Sequence, residues 1–585
     1  MTCQKHCYAW ARYSALFLAG VALLFLRNPD PITHPIVFAE DGTWTALGLR
    51  EGWLVAFAFS RTDYFVFLNT LLLYVSSVLS RATGGGSINY LPYAIAVVSY
   101  SFYSAFAVLV FSTVKRVSSP LFAIFGFLLV LMIPLGNTQN EVIGRILQVG
   151  FLMPALALML FFWRERCDRV IVRRCIDLAI FVAAGTNPVV FVVAFAYFLY
   201  ALFLRKIDLI SILKNHVLLI LLLSALAIAM LFRAPGEQSI PGAFVAGNLV
   251  EAIVARSILF PIVFPWYGAL SNTLSLLIFA IFVVIVVAAM RVPGNPEIKG
   301  LIGAVATTIV VYTLLTIVMR PGLTGLLNQY RTSFPDRYFM GINVLVSMLI
   351  VRVIAQLACT ARLRMLCAFV SVSIVFVYAY GIPAIFELGK SRMPIRTHLS
   401  FVGQMCVTDK NGDFYDIQIY PELPKWHMRI PAKYVNQAAC KFHSYEDLGL
   451  ARPGREYKMI PSAPLSKETS VGFNFFDFPT KRPMSRVGIM FGTYSRVNSG
   501  EARLILKNAQ GGFEKIDFSL ESLVDNQYRS FEVPEGVYVS GEIRSVTGSG
   551  VSVWESLDQT GNTLGCATFR FVDGSEGFTP GCPGS

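Results

Sequence analysis

The chain has 585 residues, of which 55% are hydrophobic and 15% are charged. Soluble globular proteins carry about 25% charged residues, so this composition excludes an ordinary soluble domain and indicates an integral membrane protein. The formal net charge of +13 would also suit a nucleic-acid-binding protein. However, the basic residues stand mostly in short segments between apolar runs, where membrane orientation places them, so we predict no nucleic-acid partner.

The first apolar run, residues 12–27, predicts an uncleaved membrane span with the N-terminus inside. A cleaved signal peptide is the alternative, but no convincing small-residue cleavage site stands before Pro29 and many spans follow. After this span, residues 38–42 read Phe-Ala-Glu-Asp-Gly. Carboxylates near a bilayer are costly unless they are solvated or used, so Glu40 and Asp41 are functional candidates. The alternative is that they only cap a following helix.

A long first outer loop contains these two carboxylates. Its apolar segment 63–80 predicts an interfacial or re-entrant helix, because counting it as a span would place the basic pair 115–116 outside. Residues 43–59 predict an amphipathic helix lying on the membrane. Within it, Trp44 and Trp53 are either interface anchors or residues that simply fill packing space.

A bilayer-spanning helix needs about 20 mainly apolar residues. About eleven segments meet this requirement, and they predict a polytopic α-helical membrane domain over residues 1–389. The predicted spans are roughly 12–27, 90–111, 119–135, 146–162, 176–187, 188–204, 216–232, 272–290, 301–319, 340–357 and 365–385. Residues 185–188 (Gly-Thr-Asn-Pro) interrupt one long apolar run and predict two short helices meeting near the outer face. A single kinked span is the alternative.

Two independent signals orient these spans. The clearest basic segments, at 115–116, 164–174, 205–214 and 362–364, all lie inside if the N-terminus is cytoplasmic. Six of the ten cysteines, which are expected to stay reduced, fall in or beside those inner segments: Cys3, Cys7, Cys167, Cys175, Cys359 and Cys367. We therefore predict a multi-pass membrane protein with a cytoplasmic N-terminus and an extracytoplasmic C-terminus.

The tail, residues 390–585, is polar and carries turn signals between short alternating runs. This pattern predicts a mostly-β extracytoplasmic domain, an antiparallel β-sandwich. The clearest predicted strands are 487–491, 502–506, 536–539 and 551–554. The four tail cysteines form a pairable set, with Cys406–Cys440 and Cys566–Cys582 as one of three connectivities.

The predicted outer loops collect an unusual set of polar side chains. They are Glu40, Asp41, Arg61, Asp63, Asn137, Asn140, Glu141, Arg145, Gln148, Arg320, Asn328, Arg331, Asp336, Arg337 and Tyr338. Arginine is disfavoured on the outer side, and its planar guanidinium suits phosphate oxygens, so a lipid phosphate would explain these arginines. The alternative is that they pair with nearby carboxylates such as Asp336 and Glu141.

The order of motifs along the chain resembles the glycosyltransferase C superfamily, polytopic enzymes that use polyprenyl-phosphate-linked sugars. The resemblance rests on residues 38–42 after the first span, on the Asn-rich segment 136–140 and on Arg-Tyr-Phe at 337–339. Residues 492–496 (Gly-Thr-Tyr-Ser-Arg) look like β-domains appended to such enzymes. One departure is that residues 141–145 stand where related sequences often have an aromatic residue.

The resemblance implies transfer of a sugar from a lipid-phosphate donor to an envelope glycan or glycolipid. The transfer would take place at the outer face of the bacterial inner membrane. Asp41 is then the general base, and Glu40 positions the acceptor, Asp41 or a divalent cation. The remaining roles that the resemblance implies are donor-phosphate binding by Arg337, Arg331, Arg145 and Tyr338, and substrate binding by Asn137, Asn140 and Gln148. Because no covalent intermediate is implied, inversion at the sugar is the default.

Two other functions stay open at this point. A transporter or flippase of lipid-linked glycans would show internal repeats and polar groups at mid-membrane, and we find no convincing repeat. A polysaccharide polymerase or ligase would carry outer arginines without needing the Glu-Asp pair. The six histidines show no zinc-ligand spacing, so no metal site is predicted and a divalent cation is only an option.

Overall fold

The structure is a computed structural model. It describes residues 2–116, 118–135, 138–204, 206–233, 244–292, 296–326, 336–358, 361–392, 401–408, 410–420, 426–436, 457–466, 470–474, 483–494, 496–508, 511–558, 563–572, 576–579 and 581–583.

The first two thirds of the chain are helical. The α-helices are α1 (Thr2–Arg27), α2 (Asp30–Thr33), α3 (Ala39–Glu51), α4 (Trp53–Phe59), α5 (Phe67–Thr83), α6 (Leu91–Lys115), α7 (Pro120–Leu131), α8 (Gln139–Val142), α9 (Met153–Glu165), α10 (Val170–Thr186), α11 (Val189–Leu199), α12 (Leu209–Leu231), α13 (Phe260–Val263), α14 (Asn272–Arg291), α15 (Pro296–Met319), α16 (Leu323–Leu326), α17 (Met340–Leu357), α18 (Ala361–Arg392) and α19 (Phe401–Val407). Short 3-10 or π-helical segments are Val149–Leu152, Tyr200–Leu204, Ala246–Asn248, Glu251–Leu259, Phe264–Ala269, Leu520–Ser522, Asp336–Phe339 and Ala432–Tyr434.

Several of these helices have the length and apolar composition of membrane spans. In the described part of the chain six segments qualify: Leu91–Lys115, Leu209–Leu231, Ala246–Tyr267, Asn272–Arg291, Lys299–Met319 and Arg337–Leu357. Three shorter apolar helices accompany them: Pro120–Leu131, Val189–Phe203 and Leu363–Tyr378. The chain is therefore a multi-pass membrane protein, and the predicted polytopic helical part is confirmed. Its membrane and the orientation of its ends stay predictions.

The break at residues 185–188 separates two helices. α10 ends at Thr186 and α11 begins at Val189, because proline cannot donate a backbone hydrogen bond inside a helix. Asp177, in the middle of α10, binds Arg164 of α9 at 2.5 Å. Tyr197, near the end of α11, donates to the neighbouring Glu165 of α9. Residues about equally far before and after the break thus lie side by side on α9, so the two helices form a hairpin, as predicted.

One apolar segment turns back on itself. Residues 246–267 are long enough to span a membrane, but the Tyr267 hydroxyl donates to Glu251 at 2.7 Å. A straight helix would separate these residues by about 24 Å at a rise of ~1.5 Å per residue. The segment therefore folds back on itself within the bundle. None of the predicted spans covers these residues.

The first loop differs in part from the prediction. The helix predicted over 43–59 is wrong as a single element, because it is divided into α3 and α4 at Gly52, whose φ is 98°. Trp44 is 6% exposed and belongs to a buried cluster, so it fills packing space and is not an interface anchor. Trp53 packs edge-on against Tyr74 with ring centroids 5.3 Å apart. The apolar segment near 63–80 forms α5, and its relation to the membrane stays a prediction.

The tail is built of antiparallel strands. They are β1 (Lys410–Asn411), β2 (Phe414–Gln418), β3 (His427–Pro431), β4 (Tyr457–Pro461), β5 (Ser470–Asn474), β6 (Met484–Gly492), β7 (Glu501–Asn508), β8 (Phe513–Ser519), β9 (Gln527–Gly536), β10 (Tyr538–Ser545), β11 (Ser552–Asp558), β12 (Thr563–Gly565), β13 (Ala567–Phe571) and β14 (Glu576–Phe578). One small sheet has the order β1-β2-β3, a second has β5-β10-β7-β8, and a third has β12-β11-β6-β13-β14 with β4 on β11 and β9 on β6.

The second and third sheets share one hydrophobic core and form the predicted sandwich. Leu504 from one sheet and Val487 from the other are both fully buried in it. The strands predicted at 487–491 and 502–506 lie within β6 and β7, and the one predicted at 551–554 overlaps β11 from Ser552 onward. The one predicted at 536–539 straddles the junction of β9 and β10. The predicted division at residue 390 stays a prediction, and α18 continues to Arg392.

A disulfide joins Cys566 and Cys582, with their Cα atoms 5.4 Å apart. It packs on Met490, on the outer face of β6. This pairing is one of those that the sequence predicts. Cys440 lies outside the described residues, and so does the side chain of Cys406.

The buried ion pair between α9 and α10 yields a stability prediction. Asp177 is fully buried and holds Arg164, which is 4% exposed. Asp177→Ala leaves that guanidinium buried without its carboxylate, and we expect a loss of about 3–5 kcal/mol. Thermal unfolding of the detergent-solubilised chain measures the loss.

Asp208→Ala is the matched control for this prediction. Asp208 is an exposed N-cap whose carboxylate accepts from Ser211 N at 2.8 Å. Its replacement should cost much less stability than Asp177→Ala, because an exposed cap leaves no buried charge behind. Equal losses for the two substitutions would show that the buried pair does not hold α9 and α10 together.

Candidate active site

A buried, irregular segment lies at the centre of the site, residues 143–148, which we call the buried loop. Backbone groups away from water must be paired, and a segment outside regular helix cannot pair them internally. Side chains from other elements bond its carbonyl oxygens: Asn28 bonds Ile143 at 2.9 Å, Ser99 bonds Arg145 at 2.8 Å, and Asn69 bonds Ile146 at 2.7 Å and Leu147 at 2.9 Å. The loop is therefore held in place by the start of the first loop, by α5 and by α6.

Asp41 bonds the same loop from the first turn of α3. Its Oδ2 accepts the Ile146 backbone N–H at 3.0 Å, and the residue is fully buried. Its Oδ1 is buried without a hydrogen-bond partner. Burial raises the pKa of Asp41 from its ordinary 3.8 to about 7, and the Ile146 N–H bond and the charge of Arg145 oppose that rise. A carboxyl group with such a pKa exchanges its proton near neutral pH.

Arg145 is a buried cation in the buried loop, and it interacts electrostatically with the Asp41 carboxylate. Its Nη1 donates to Ile36 O at 2.7 Å, and its Nη2 is buried without an acceptor. Burial lowers the pKa of Arg145, and the charge of Asp41 opposes that effect. The two groups interact electrostatically, but within the described part of the chain no ion pair of 4.0 Å or less joins them. Arg145 thus anchors the first loop and compensates the Asp41 charge from a distance.

The tail closes over Asp41 from above. Phe38 and Tyr420 form a parallel bridge, in which Ala39 N donates to Tyr420 O at 2.6 Å and Tyr420 N donates to Val37 O at 3.0 Å. Ala39 has a φ of 40°, a left-handed conformation that is unusual for alanine. We call the sheet β1–β3 with its flanking residue Tyr420 the roof.

The roof excludes water from Asp41. A Cβ added to Gly42 would lie 2.4 Å from Ile419 Cδ1 and 3.0 Å from Met428 Cγ, so a larger residue between α3 and the roof would force these side chains to shift. Trp44, Ile417 and Ile430 belong to the same buried cluster. Low dielectric around Asp41 follows from this packing and is the cause of its raised pKa.

Glu40 has different surroundings from the adjacent Asp41. It is half-buried and interacts electrostatically with Arg61 and with Arg337. Consecutive side chains on a helix point about 100° apart, which is why adjacent carboxylates reach different surroundings. One carboxylate therefore lies in the protein interior, and the other faces a cluster of arginines.

Two of these arginines already have carboxylate partners. Arg61 donates to both oxygens of Asp63 at 2.9 Å, and Arg337 pairs with Glu141. The alternative interpretation of the sequence, that outer arginines pair with nearby carboxylates, holds for these two. Asp336 is described in its backbone only.

Arg320 is the exception. Its guanidinium lies 4.5 Å from the centroid of the Tyr338 ring, and its Nε is buried without an acceptor. Among the described residues no carboxylate pairs with it. Tyr64, half-buried, interacts electrostatically with both Arg320 and Tyr338, which places these three groups together. Arg320 is half-buried, and a guanidinium that no described carboxylate neutralises is a candidate site for an anion.

The other predicted substrate residues line the same end of the bundle. Tyr338 is 7% exposed and packs edge-on against Phe151, with ring centroids 5.7 Å apart. Asn140, shortly before the buried loop, and Gln148, its last residue, are both buried. Asn137 and Arg331 lie outside the described residues.

Sequence reasoning missed three contributors to the site. Arg320 is one of the predicted outer-loop residues but is not among the predicted phosphate-binding residues. The available signal was its position, because arginine is disfavoured on the outer side of the membrane. Asn69 is a polar residue inside an apolar helix, and a buried polar side chain needs a hydrogen-bond partner. That partner is the backbone of the buried loop. Nothing in the sequence indicated that the roof would pair with the first loop.

Within the described residues no group of three or more His, Cys, Asp or Glu side chains is placed to hold a metal ion. We therefore assign no metal ligand here.

No family model matches the chain, and no curated protein matches it. Among solved structures, the crystal structure of ArnT from Cupriavidus metallidurans in the apo state is similar. The two share 14% sequence identity with a TM-score of 0.38, and the match covers 68% of this chain and 79% of that one. At this TM-score the likeness supports no functional assignment.

Asp41→Asn is expected to stabilise the protein at neutral and higher pH. Because the folded pKa of about 7 exceeds the ordinary 3.8, the stability contributed by protonated Asp41 is complete below about pH 4 and is lost as pH rises through 7. The loss is about 1.4 kcal/mol per pH unit over that window. Asparagine keeps an oxygen for Ile146 without any charge. Thermal unfolding at about pH 4.5 and about pH 8 measures the difference, which should grow with pH.

Asp63→Asn is the control for this prediction, because the pKa of Asp63 is shifted in the opposite direction from that of Asp41. Burial alone would raise the pKa of Asp63, but its bonds from Arg61 outweigh burial and hold that pKa below its usual value. The stability contributed by Asp63 is present above its unfolded pKa of about 4 and is lost as pH falls below it. Asp63→Asn should therefore destabilise the protein at about pH 8. If Asp41→Asn is destabilising there too, the Asp41 charge is compensated and the burial account is wrong.

Proposed function

We propose that the chain is a membrane glycosyltransferase that moves a sugar from a polyprenyl-phosphate donor to a cell-envelope glycan or glycolipid, at the outer face of the inner membrane. The observation that supports this most is Arg320, a half-buried arginine that no carboxylate among the described residues neutralises, at the same end of the bundle as a carboxylate whose pKa is about 7. Anion binding and proton abstraction are the two tasks of such a transfer.

The distribution of the charges favours transfer over transport. A transporter of lipid-linked glycans is expected to hold its substrate near the middle of the membrane. Here Glu40, Asp41, Arg61, Arg320 and Arg337 lie together at one end of the helical bundle, in loops and first turns. A group transferred at the membrane surface meets such residues without crossing the bilayer.

Asp41 is the proposed general base. The acceptor hydroxyl gives its proton to Oδ1, which has no partner, while the hydroxyl oxygen forms a bond to the anomeric carbon. The bond between that carbon and the phosphate oxygen breaks, and its electron pair leaves with the phosphate. Because Asp41 is fully buried, the acceptor reaches it only when the roof or the buried loop shifts.

Arg320 and Arg337 receive the leaving phosphate in this proposal. Its oxygen gains negative charge as the bond breaks, and fixed donors at that position lower the barrier. Arg320 supplies charge that no carboxylate in the described part of the chain neutralises, whereas Arg337 shares its charge with Glu141. Tyr338, between the two cations, adds a hydroxyl donor. Arg331 is proposed for the same task from the resemblance alone.

Glu40 positions the acceptor. As a half-buried carboxylate facing Arg61 and Arg337, it accepts hydrogen bonds from sugar hydroxyls beside the phosphate site. Asn140, shortly before the buried loop, and Gln148, its last residue, are proposed for binding the sugar. With a single displacement and no covalent intermediate, the configuration at the sugar inverts.

The pH dependence of transfer separates the two carboxylates. With Asp41 as the base, the rate should rise with pH and level off above about 7, because only the ionised form accepts a proton. Asp41→Asn should lower the rate about 10²–10⁴-fold, while Glu40→Gln should weaken acceptor binding and keep the pH dependence. The assay follows transfer from a defined polyprenyl-phosphate sugar in reconstituted membranes. Wild-type turnover in Asp41→Asn would remove Asp41 from the mechanism.

Arg320→Ala tests the phosphate site. Removing one donor to a developing negative charge typically costs about 10²–10³ in kcat, and Arg320→Lys should restore part of it because charge without planar geometry remains. Arg50→Ala is the matched control, since Arg50 is an exposed arginine on α3 that pairs with Glu51. Arg320→Ala activity equal to that of Arg50→Ala at saturating donor would contradict the assignment.

A further inference from the structure

Four side chains gather at one edge of the third sheet: Tyr494, Arg496, Asn526 and Trp554. We call them the aromatic patch. β6 ends at Gly492, which pairs with Ser552 at the start of β11, and Phe491 pairs with Gln527 at the start of β9. Three strand ends therefore meet at this edge, and the loops beside them carry the patch. The proposed transfer reaction uses none of these residues.

The backbone of the patch is strained at two positions. Tyr494 has a φ of 57° and Asn526 a φ of 58°. Only two other non-glycine residues in the described chain have a positive φ, and one of them, Ala39, adjoins the acidic dyad. A bulky tyrosine in this conformation is unusual, and such strain concentrates at functional sites.

Specific contacts hold both strained residues. The Tyr494 and Ser552 hydroxyls lie 2.6 Å apart, and Asn526 N donates to Phe491 O at 2.8 Å. The Trp554 indole N–H donates to Asn526 Oδ1 at 2.8 Å. These contacts fix a tyrosine ring, an indole and a carboxamide relative to one another before any ligand arrives.

The patch nevertheless remains open to solvent. Tyr494 is 48% exposed, and Arg496 and Asn526 are exposed as well. The Arg496 guanidinium lies 5.5 Å from the Tyr494 ring centroid and makes one hydrogen bond, from Nη2 to Gly550 O at 3.3 Å. Its other N–H groups have no acceptor among the described residues.

We infer that the aromatic patch binds a saccharide chain. A sugar ring has an apolar face of C–H groups and a rim of hydroxyls, so it needs an exposed aromatic face with hydrogen-bonding groups beside it. Tyr494 provides the face, while Arg496 and the carboxamide of Asn526 provide the hydrogen bonds. The inference concerns binding alone and does not depend on the proposed transfer reaction.

Binding to the purified full chain in detergent tests this assignment. The probes are soluble hexasaccharides of glucose, xylose, mannose or N-acetylglucosamine, and the delipidated envelope polysaccharide of the source organism. Calorimetry should show saturable binding of at least one probe, accompanied by a change in tryptophan fluorescence. Trp554→Phe should remove the fluorescence change, because the other six tryptophans lie outside the patch.

Three variants decide the outcome. Tyr494→Ala is expected to weaken binding about tenfold, and Arg496→Ala, a surface change, should also weaken it without affecting folding. Phe513→Ala is the control, because Phe513 is 60% exposed on β8 in the other sheet. Thermal unfolding verifies that each variant is folded. The assignment is overturned if no probe binds, or if Tyr494→Ala and Arg496→Ala bind as tightly as Phe513→Ala.

Discussion

The hydrogen bond from the Ile146 backbone to Asp41 joins the two halves of the site, and the rest of the site depends on it. It ties α3 to the buried loop, whose carbonyl oxygens are bonded in turn by Asn28, Asn69 and Ser99. The roof then removes water from the carboxylate. A buried acid with one oxygen bonded and the other unpaired is destabilised in its charged form. That destabilisation is what suits Asp41 to accepting a proton near neutral pH.

The adjacent carboxylates of Glu40 and Asp41 have different surroundings, and this difference suits them to the two proposed roles, acceptor positioning and general base. Asp41 lies in a low-dielectric interior next to Arg145, while Glu40 faces Arg61 and Arg337 at the surface of the cluster. Opposite the dyad, Arg320 carries a charge that no described carboxylate neutralises. A proton acceptor and an anion site at one end of a membrane bundle are the minimum that transfer from a phosphate-linked donor requires.

Local patterns made much of this fold predictable. The proline at 188 predicted the α10–α11 hairpin, and alternating residues predicted several of the sandwich strands, because both signals act over a few residues. Non-local features were beyond the sequence. The roof pairs Tyr420 with Phe38 far back along the chain, and residues 246–267 return on themselves through the Tyr267–Glu251 bond. The motif predicted Glu40 and Asp41 as a functional pair, but only packing against the roof shows that Asp41 is fully buried and Glu40 is half-buried.

The most direct test of the central claim is the mass of the envelope glycans in cells that lack this chain. If the chain transfers one sugar, deletion should reduce the mass of one glycan or glycolipid species by one monosaccharide, and wild-type protein should restore it. A complementing variant with Arg320→Lys should restore it in part. An unchanged glycan profile, or accumulation of complete lipid-linked units, would contradict transfer and point to export.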